Sequence, residues 1–310
     1  MDPRIVGRLR CPVCAEPLTE AATGTARALR CPRRHSFDVA RQGYVDLLAG
    51  RAPHAGDTAE MVAARADFLA AGHYDPVSAA LAAAALAALG DAPVADEGPA
   101  TPATPAEPAA PTGTGRVVGA YPLVVDAGAG TGRHLAAVLA ALPDAVGLAL
   151  DVSKPALRRA ARAHPRAAAA LADTWRRLPL ADGSVAVLLD VFAPRNGAEF
   201  RRVLHPAGVL LVVTPAEDHL AELVDALDLL KVDPDKADRV AGSLAAHFDQ
   251  AAESVLRARL ELTAPEVATL VGMGPSARHT DPAVLAARIA ALPEPVGVTL
   301  AVRLGVYRPR

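Results

Sequence analysis

The sequence predicts an α/β fold: a Rossmann-like, mainly parallel sheet with helices on both faces, preceded by a small N-terminal metal-binding module. Three observations predict it. Short apolar runs that read as strands alternate with helix-length segments between residues 121 and 215. Strands separated by helices of that length pair in parallel, with the helices covering both faces. A glycine-rich turn, "DAGAGTG" at 126–132, joins the first of these strands to its helix, and all three cysteines stand within the first 31 residues.

The bounds are consistent with this. A chain of 310 residues holds one large domain or two smaller ones. It is 52% hydrophobic but only 3% aromatic, so its core must be built mostly from Ala, Val and Leu. With a net charge of -2, the whole chain is not an obvious polyanion binder. Residues 1–51, however, carry nine arginines against five acids. A locally basic module is either a nucleic-acid contact or a solvated face. The charged start, Met1 to Arg10, does not read as a signal peptide, and no apolar run approaches the ~20 residues that span a membrane. Cysteines grouped at one end do not suggest a disulfide framework; a reducing cytoplasm is the expected setting.

Taken in order, residues 1–50 are Cys-rich and turn-rich. Residues 51–90 form a helical connection: "DTAEMVAARADFLAAG" opens on an Asp or Thr cap and ends at Gly72, and a second helix begins near Pro76. Residues 91–116 read as a flexible linker or surface loop; 91–115 hold six Pro, seven Ala, four Thr and no Lys or Arg. The region 117–310 is the α/β domain. Strands are expected at 121–130, 145–153, weakly at "AAAALADT", at 184–192 and at 208–215, with helices at 132–142, 154–164 and "GAEFRRVLHP". Residues 217–259 read as mainly helical. The final "VGVTLAVRLGVYRP" alternates like an antiparallel hairpin partner or edge strand.

Gly128, Gly130 and Gly132 let the chain turn tightly and let a ligand approach bare backbone. A dinucleotide site would carry its third glycine where this chain has Arg133, which argues against NAD. Asp126, at the end of the first strand, can face a positive amino group, which suits S-adenosylmethionine. Asp151 ends the second strand, where an acid can grip both ribose hydroxyls. Asp173 follows the third, within reach of an adenine amino group. Singly each acid could be a helix cap; together, in order and at strand ends, they favour an S-adenosylmethionine site.

Cys11, Cys14 and Cys31 give C-x2-C-x16-C, with His35 four residues further on. Thiolate and imidazole are preferred zinc ligands, and Cys3His is a closed structural set. Four protein ligands leave no position for catalysis. Metal binding would replace the hydrophobic core that fifty residues can barely supply.

A resemblance then becomes specific. "CPVCAEPL", "CPRRHSFDVARQGYVDLL", "GDTAEMVAARADFLAAGHYDPV", "LDVSKPALRRAARAHP", "VFAPRNGAEFRRVLHPAGVLLVVTPAEDHLAEL" and "GMGPSARHTDP" follow one another in order. Together they resemble the bacterial 23S ribosomal RNA guanine-N1 methyltransferases, within them the actinobacterial branch that confers tylosin-type macrolide resistance. The likeness covers nearly the whole chain except 91–120. It implies a class I S-adenosylmethionine-dependent methyltransferase fold, 23S rRNA as substrate, and structural zinc on Cys11, Cys14, Cys31 and His35. It also implies donor contacts at Tyr74, at Gly130, Thr131 and Gly132, and at His219. Read alone, Tyr74 and His219 would be a cap and a core residue. Where the family carries Trp, this chain has Arg278 before His279.

The implied reaction moves a methyl group from a sulfonium to guanine N1, which carries a proton near neutral pH. Asp190, at the end of the fourth strand, is the candidate to take that proton, and Arg195 to hold an enolate-like O6. Equally, Asp190 could be a strand-end cap and Arg195 a phosphate contact. Guanine N1 lies on the pairing edge, so the target must be unpaired or flipped out. Arg33 and Arg34 on the zinc module are the candidate grip on the RNA stem. A methyltransferase for small molecules and a non-catalytic RNA-binding protein that keeps the donor pocket are the competing readings. A homodimer is among the assemblies the sequence leaves open.

Overall fold

The computed structural model describes residues 1–23, 26–48, 50, 56–90, 121–229, 242–274 and 281–310. The expected linker at 91–116 and the Arg278–His279 pair lie outside the described residues.

At the N-terminus the short helix α1 (Pro3–Val6) is capped by Asp2, whose side chain accepts from the Arg4 N–H. Strands β1 (Thr19–Thr23), β2 (Ala26–Arg30) and β3 (Ser36–Asp38) make a three-stranded antiparallel sheet. The next strand, β4 (Tyr44–Asp46), leaves this module and pairs elsewhere. Helix α2 (Ala59–Ala70) starts on Thr58, whose hydroxyl accepts from the Met61 N–H at 3.3 Å. Helix α3 (Asp75–Gly90) follows after the turn through Gly72, where φ is +86°.

Strand β5 (Leu123–Ala127) then begins the repeating part of the chain. It is followed by α4 (Arg133–Ala141), β6 (Val146–Asp151), α5 (Lys154–Ala160), β7 (Ala167–Leu171), β8 (Val185–Val191), α6 (Gly197–Val203) and β9 (Leu204–Pro215). β5 and β8 are buried along their whole length, as parallel strands covered on both faces must be. After α7 (Ala221–Leu227) come β10 (Phe248–Leu262), α8 (Ala264–Gly272), α9 (Pro282–Ala290) and β11 (Val296–Pro309).

The large sheet has eight strands in the order β10-β11-β9-β8-β5-β6-β7-β4. The six from β9 to β4 are parallel; β11 runs antiparallel to β9 and β10 to β11. From β5 the chain winds outward through β6 and β7, then returns to β8 on the other side of β5. Sheets of this kind bind ligands outside the carboxyl ends of the strands, at such a reversal.

Each face of the sheet has its own apolar core. One joins α2, α3, α4, α5, α7 and α8 to Val124, Leu189 and Leu211. The other joins α1, α6 and the N-terminal module, including Cys11 and Cys31, to Val125, Leu148 and Leu188. Backbone bonds tie that module down further: the Arg10 N–H donates to the Pro179 carbonyl at 2.9 Å, and the Ala181 N–H to that of Arg8 at 2.9 Å.

One expectation needs correction. Residues 248–259, expected within a mainly helical stretch, belong to β10, which starts at Phe248. It pairs with β11 from Phe248 opposite Pro309 to Leu262 opposite Val296. From Leu256 to Leu262 the side chains alternate, with Leu260 and Leu262 buried and Arg257, Arg259 and Glu261 exposed. That long-range pairing overrides the helix preference of its Ala, Glu and Arg. β11 takes the first of its two expected places, an antiparallel partner strand, and β10 forms the edge. Among the described residues, no helix is long and apolar enough to cross a membrane.

Candidate functional site

The four expected zinc ligands converge. The donor atoms of Cys11, Cys14, Cys31 and His35 all lie within 4.8 Å of one another. Cys14 Sγ is 3.7 Å from Cys31 Sγ, and His35 Nδ1 is 3.5 Å from Cys11 Sγ and 3.3 Å from Cys31 Sγ. Zn–S bonds of ~2.3 Å at tetrahedral angles put two sulfurs ~3.8 Å apart. The donor set and its spacing therefore fit a closed tetrahedral zinc, with Nδ1 as the histidine ligand. Local backbone makes the cage: the Ala15 N–H donates to the Cys11 carbonyl and the Arg34 N–H to that of Cys31, closing both knuckles. Ala15 and Arg34 take left-handed conformations at φ +62° and +65° to do so. Burial opposes ionisation of the Cys31 thiol. Hydrogen bonds from the His35 backbone and from Cys14 outweigh it and bring the thiol down to about 7. Arg33 and Arg34 both stand exposed beside this cage, and Arg33 lies 3.8 Å from Glu16.

The second site lies at the carboxyl ends of β5, β6, β7 and β8. Gly128, Gly130 and Gly132 have φ of +82°, +53° and +78°. A Cβ on Gly128 would stand 2.5 Å from that of Ala193, and one on Gly132 would meet Ala160 at 3.0 Å. The turn thus needs glycine for close packing as well as for its dihedrals. Asp151 braces it: Oδ2 accepts from the Gly130 N–H at 2.8 Å and Oδ1 from the Ser153 N–H at 2.7 Å. Each of its oxygens is therefore already engaged by backbone, and a ribose would share the remaining lone pairs. Thr131 is partly exposed at the crest of the turn.

Asp126 is 1% exposed, and neither carboxylate oxygen finds a hydrogen-bond partner among the described residues. Burial, with the Asp151 charge adding, pushes it up to about 7. A buried acid with no donor is what the seat of a cationic ligand requires when the ligand itself supplies the partner. Asp173, also buried, accepts from the Trp175 N–H at 3.0 Å through Oδ1. Its Oδ2 lies 3.6 Å from Arg176 Nε and has no hydrogen bond.

Asp190, at the end of β8, is fully buried, with Arg195 Nη1 3.3 Å from Oδ1. Burial raises it well above the ordinary carboxylate range; Arg195 opposes the shift and Asp126 adds to it. Tyr74 is buried and its hydroxyl lies 3.4 Å from His219 Nε2, while His219 Nδ1 accepts from the Ala301 N–H at 3.2 Å.

Three contributors escaped the sequence reading. The nearest atom to a Cβ on Gly130 is Arg65 Nη1, at 3.4 Å. Arg65 pairs with Asp57 and donates to the Met273 carbonyl at 2.9 Å, which lays α2 along the glycine turn. The Ser153 hydroxyl donates to the Asp57 carbonyl at 2.8 Å, holding the segment before α2 against the end of β6. Phe192, just beyond β8, has φ +53° and is 41% exposed. "RADF" could have suggested an inward-facing Arg65, but nothing in "VFAP" announces a left-handed phenylalanine.

Comparison with known proteins covers both the N-terminal module and the rest of the chain. Residues 9–52 match the zinc-ribbon family described as "RlmA, N-terminal". The chain is 66% identical over 310 residues, the whole of both chains, to a Micromonospora griseorubida protein assigned as a 23S rRNA (guanine-N(1)-)-methyltransferase. It is 50% identical over 312 residues to the Streptomyces fradiae 23S rRNA (guanine(748)-N(1))-methyltransferase, covering 100% of this chain and 99% of that one. A Bacillus subtilis protein assigned to the same activity, YxjB, is 32% identical over 219 residues, 69% of this chain and 66% of its own.

Proposed function

The chain belongs to the 23S rRNA (guanine-N1)-methyltransferase family, and from that premise we propose how its own residues serve the reaction. It methylates N1 of a guanine in 23S rRNA, with S-adenosylmethionine supplying an electrophilic methyl group on a cationic sulfur. The observation that carries the donor seat is Asp126, a buried carboxylate at the reversal of the sheet without a hydrogen-bond partner among the described residues. Asp126 faces the donor's ammonium group. Asp151 holds the ribose hydroxyls with its remaining lone pairs, and Asp173 takes the adenine amino group. Gly128, Gly130, Thr131 and Gly132 line the turn beneath, and Tyr74 with His219 closes the methionine end.

Asp190 accepts the N1 proton as the N1–CH3 bond forms and the S–CH3 bond breaks. Its raised proton affinity suits the task, since a base works best when its pKa approaches the working pH. Arg195, 3.3 Å away, holds the charge that develops at O6. Zinc takes no part in the chemistry; its four protein ligands keep the knuckles folded and present Arg33 and Arg34 to the RNA. Every residue named comes from one chain, so this chemistry does not require a homodimer.

The target we propose is a hairpin-loop guanine equivalent to the one at position 748 named for the Streptomyces fradiae relative. Its modification confers tylosin-type macrolide resistance, and the work is cytoplasmic. The test uses labelled S-adenosylmethionine with naked 23S rRNA or with small-molecule acceptors. Label in RNA, with primer extension halting at one loop guanine, is the expected result. Label only in small acceptors, or donor binding without transfer, would overturn the proposal. Expression in a susceptible host should raise the tylosin concentration needed to stop growth.

A further inference from the structure

Phe192 has no task in the reaction as described, yet its placement is costly. At φ +53° it adopts a backbone conformation rare for a bulky side chain. Such strain persists only where the surroundings over-determine it, and it concentrates at ligand sites. Here both sides hold it. The Phe192 N–H donates to the Val213 carbonyl at 3.0 Å, and the next residue, Ala193, fills the space a Cβ on Gly128 would need. The result lifts an aromatic ring to the surface two residues after the buried Asp190.

The ring is also supported from below. Its centroid is 5.9 Å from that of His219, with planes 26° apart, and 6.2 Å from that of Tyr74. Tyr74 in turn packs edge-on against Phe68 at 5.4 Å. A ladder of rings thus rises from the core to Phe192. Sheet order separates it from the donor's adenine end. Asp151 ends β6 and Asp173 follows β7, on one side of the glycine turn; Asp190 lies at the end of β8 and Phe192 and Arg195 follow it, on the other.

We propose that Phe192 is the stacking surface for the flipped target guanine, setting the base plane so that N1 meets Asp190 and the methyl group. This rests on the reading of the chain as a guanine-N1 methyltransferase. A base lifted from its RNA stack loses stacking partners, and an aromatic side chain replaces one of them.

The test compares wild type, Phe192→Ala and Phe192→Trp on a synthetic 23S rRNA hairpin and on the same hairpin lacking the target base. Phe192→Ala should lower kcat/KM for the hairpin on the order of ten- to a hundredfold, the range for loss of one stacked base. Phe192→Trp should retain most of the rate. Affinity for S-adenosylmethionine, by calorimetry, should fall by much less than kcat/KM does, since the ring leans on Tyr74 and His219 without itself lining the donor seat. The hairpin without its target base should bind wild type and Phe192→Ala equally. With 2-aminopurine at the target position, wild type should quench fluorescence that Phe192→Ala leaves high. Unchanged kcat/KM in Phe192→Ala, or a matching loss of donor affinity, would overturn the inference. If wild type itself transfers no methyl to RNA, the proposed function fails instead, so the two failures are distinct.

Discussion

Asp126 and Asp190 end adjacent strands, β5 and β8, and both are buried; three of their four carboxylate oxygens have no hydrogen-bond partner among the described residues. Two such acids side by side destabilise a fold unless they are protonated or paired. Their surroundings also differ: Arg195 stands beside Asp190, whereas burial and the Asp151 charge both oppose ionisation of Asp126. That difference is consistent with the separate roles proposed for the two acids.

Asp126→Asn should therefore stabilise the free protein while damaging donor binding. The folded state holds the Asp126 proton up to about 7, whereas the unfolded chain releases it near the ordinary value of 3.8. Between those pH values the unfolded state binds fewer protons, so this group lowers stability as pH rises, by at most about 4 kcal/mol above pH 7. Thermal unfolding of wild type and variant at pH 5 and pH 8 should show the variant's relative gain at pH 8. Calorimetry should show S-adenosylmethionine affinity reduced about tenfold or more, the loss expected for one buried charged hydrogen bond.

Asp190→Asn removes the proposed proton acceptor and should lower kcat by roughly 10²–10⁴ with little change in donor affinity. On that proposal the carboxylate form is the active one, and burial raises its pKa. The rate on RNA should fall as pH is lowered through a midpoint above the ordinary carboxylate range. A flat profile from pH 5 to pH 8 would remove Asp190 from this role.

Zinc removal should unfold more than the knuckles. Cys11 and Cys31 belong to the same apolar core as Val125 and Leu148 of the main sheet. Cys31→Ser should abolish the stoichiometric zinc seen by elemental analysis and lower the temperature of a single melting transition, since structural zinc supplies on the order of 10 kcal/mol in isolated modules. A separate early transition with the main one unchanged would show an independent module.

Replacing Arg33 and Arg34 together by Ala should weaken hairpin binding and flatten its salt dependence. The log–log slope should fall by roughly 1.4–1.8, about 0.7–0.9 for each phosphate that the protein no longer neutralises. Affinity for S-adenosylmethionine should not move. Equal loss of both would reject the assignment of these arginines to RNA.

Much of this molecule was legible in its sequence because the informative features are local. The zinc ligands follow from spacing and donor chemistry, and the glycine turn from its place between an apolar strand and a helix. What escaped depends on distant partners. β10 reads as helix by composition and becomes a strand because β11 pairs with it along fourteen matched positions. β4 has three residues and no signal of its own until β7 lies beside it. Arg65 and Phe192 gain their significance from Gly130 and Gly128, which are more than sixty positions away in each case.

The strand β4 carries the last consequence. It begins in the zinc module and ends as the outermost rung of the sheet, while Arg8 and Arg10 are laced to residues 179–181. If Arg33 and Arg34 grip the RNA as proposed, this pairing and these bonds set the distance from that grip to the proposed methyl pocket. A guanine at another distance from its stem would then fall out of register. Lengthening the hairpin stem by a base pair should leave grip intact and methylation lost, which makes span a source of selectivity.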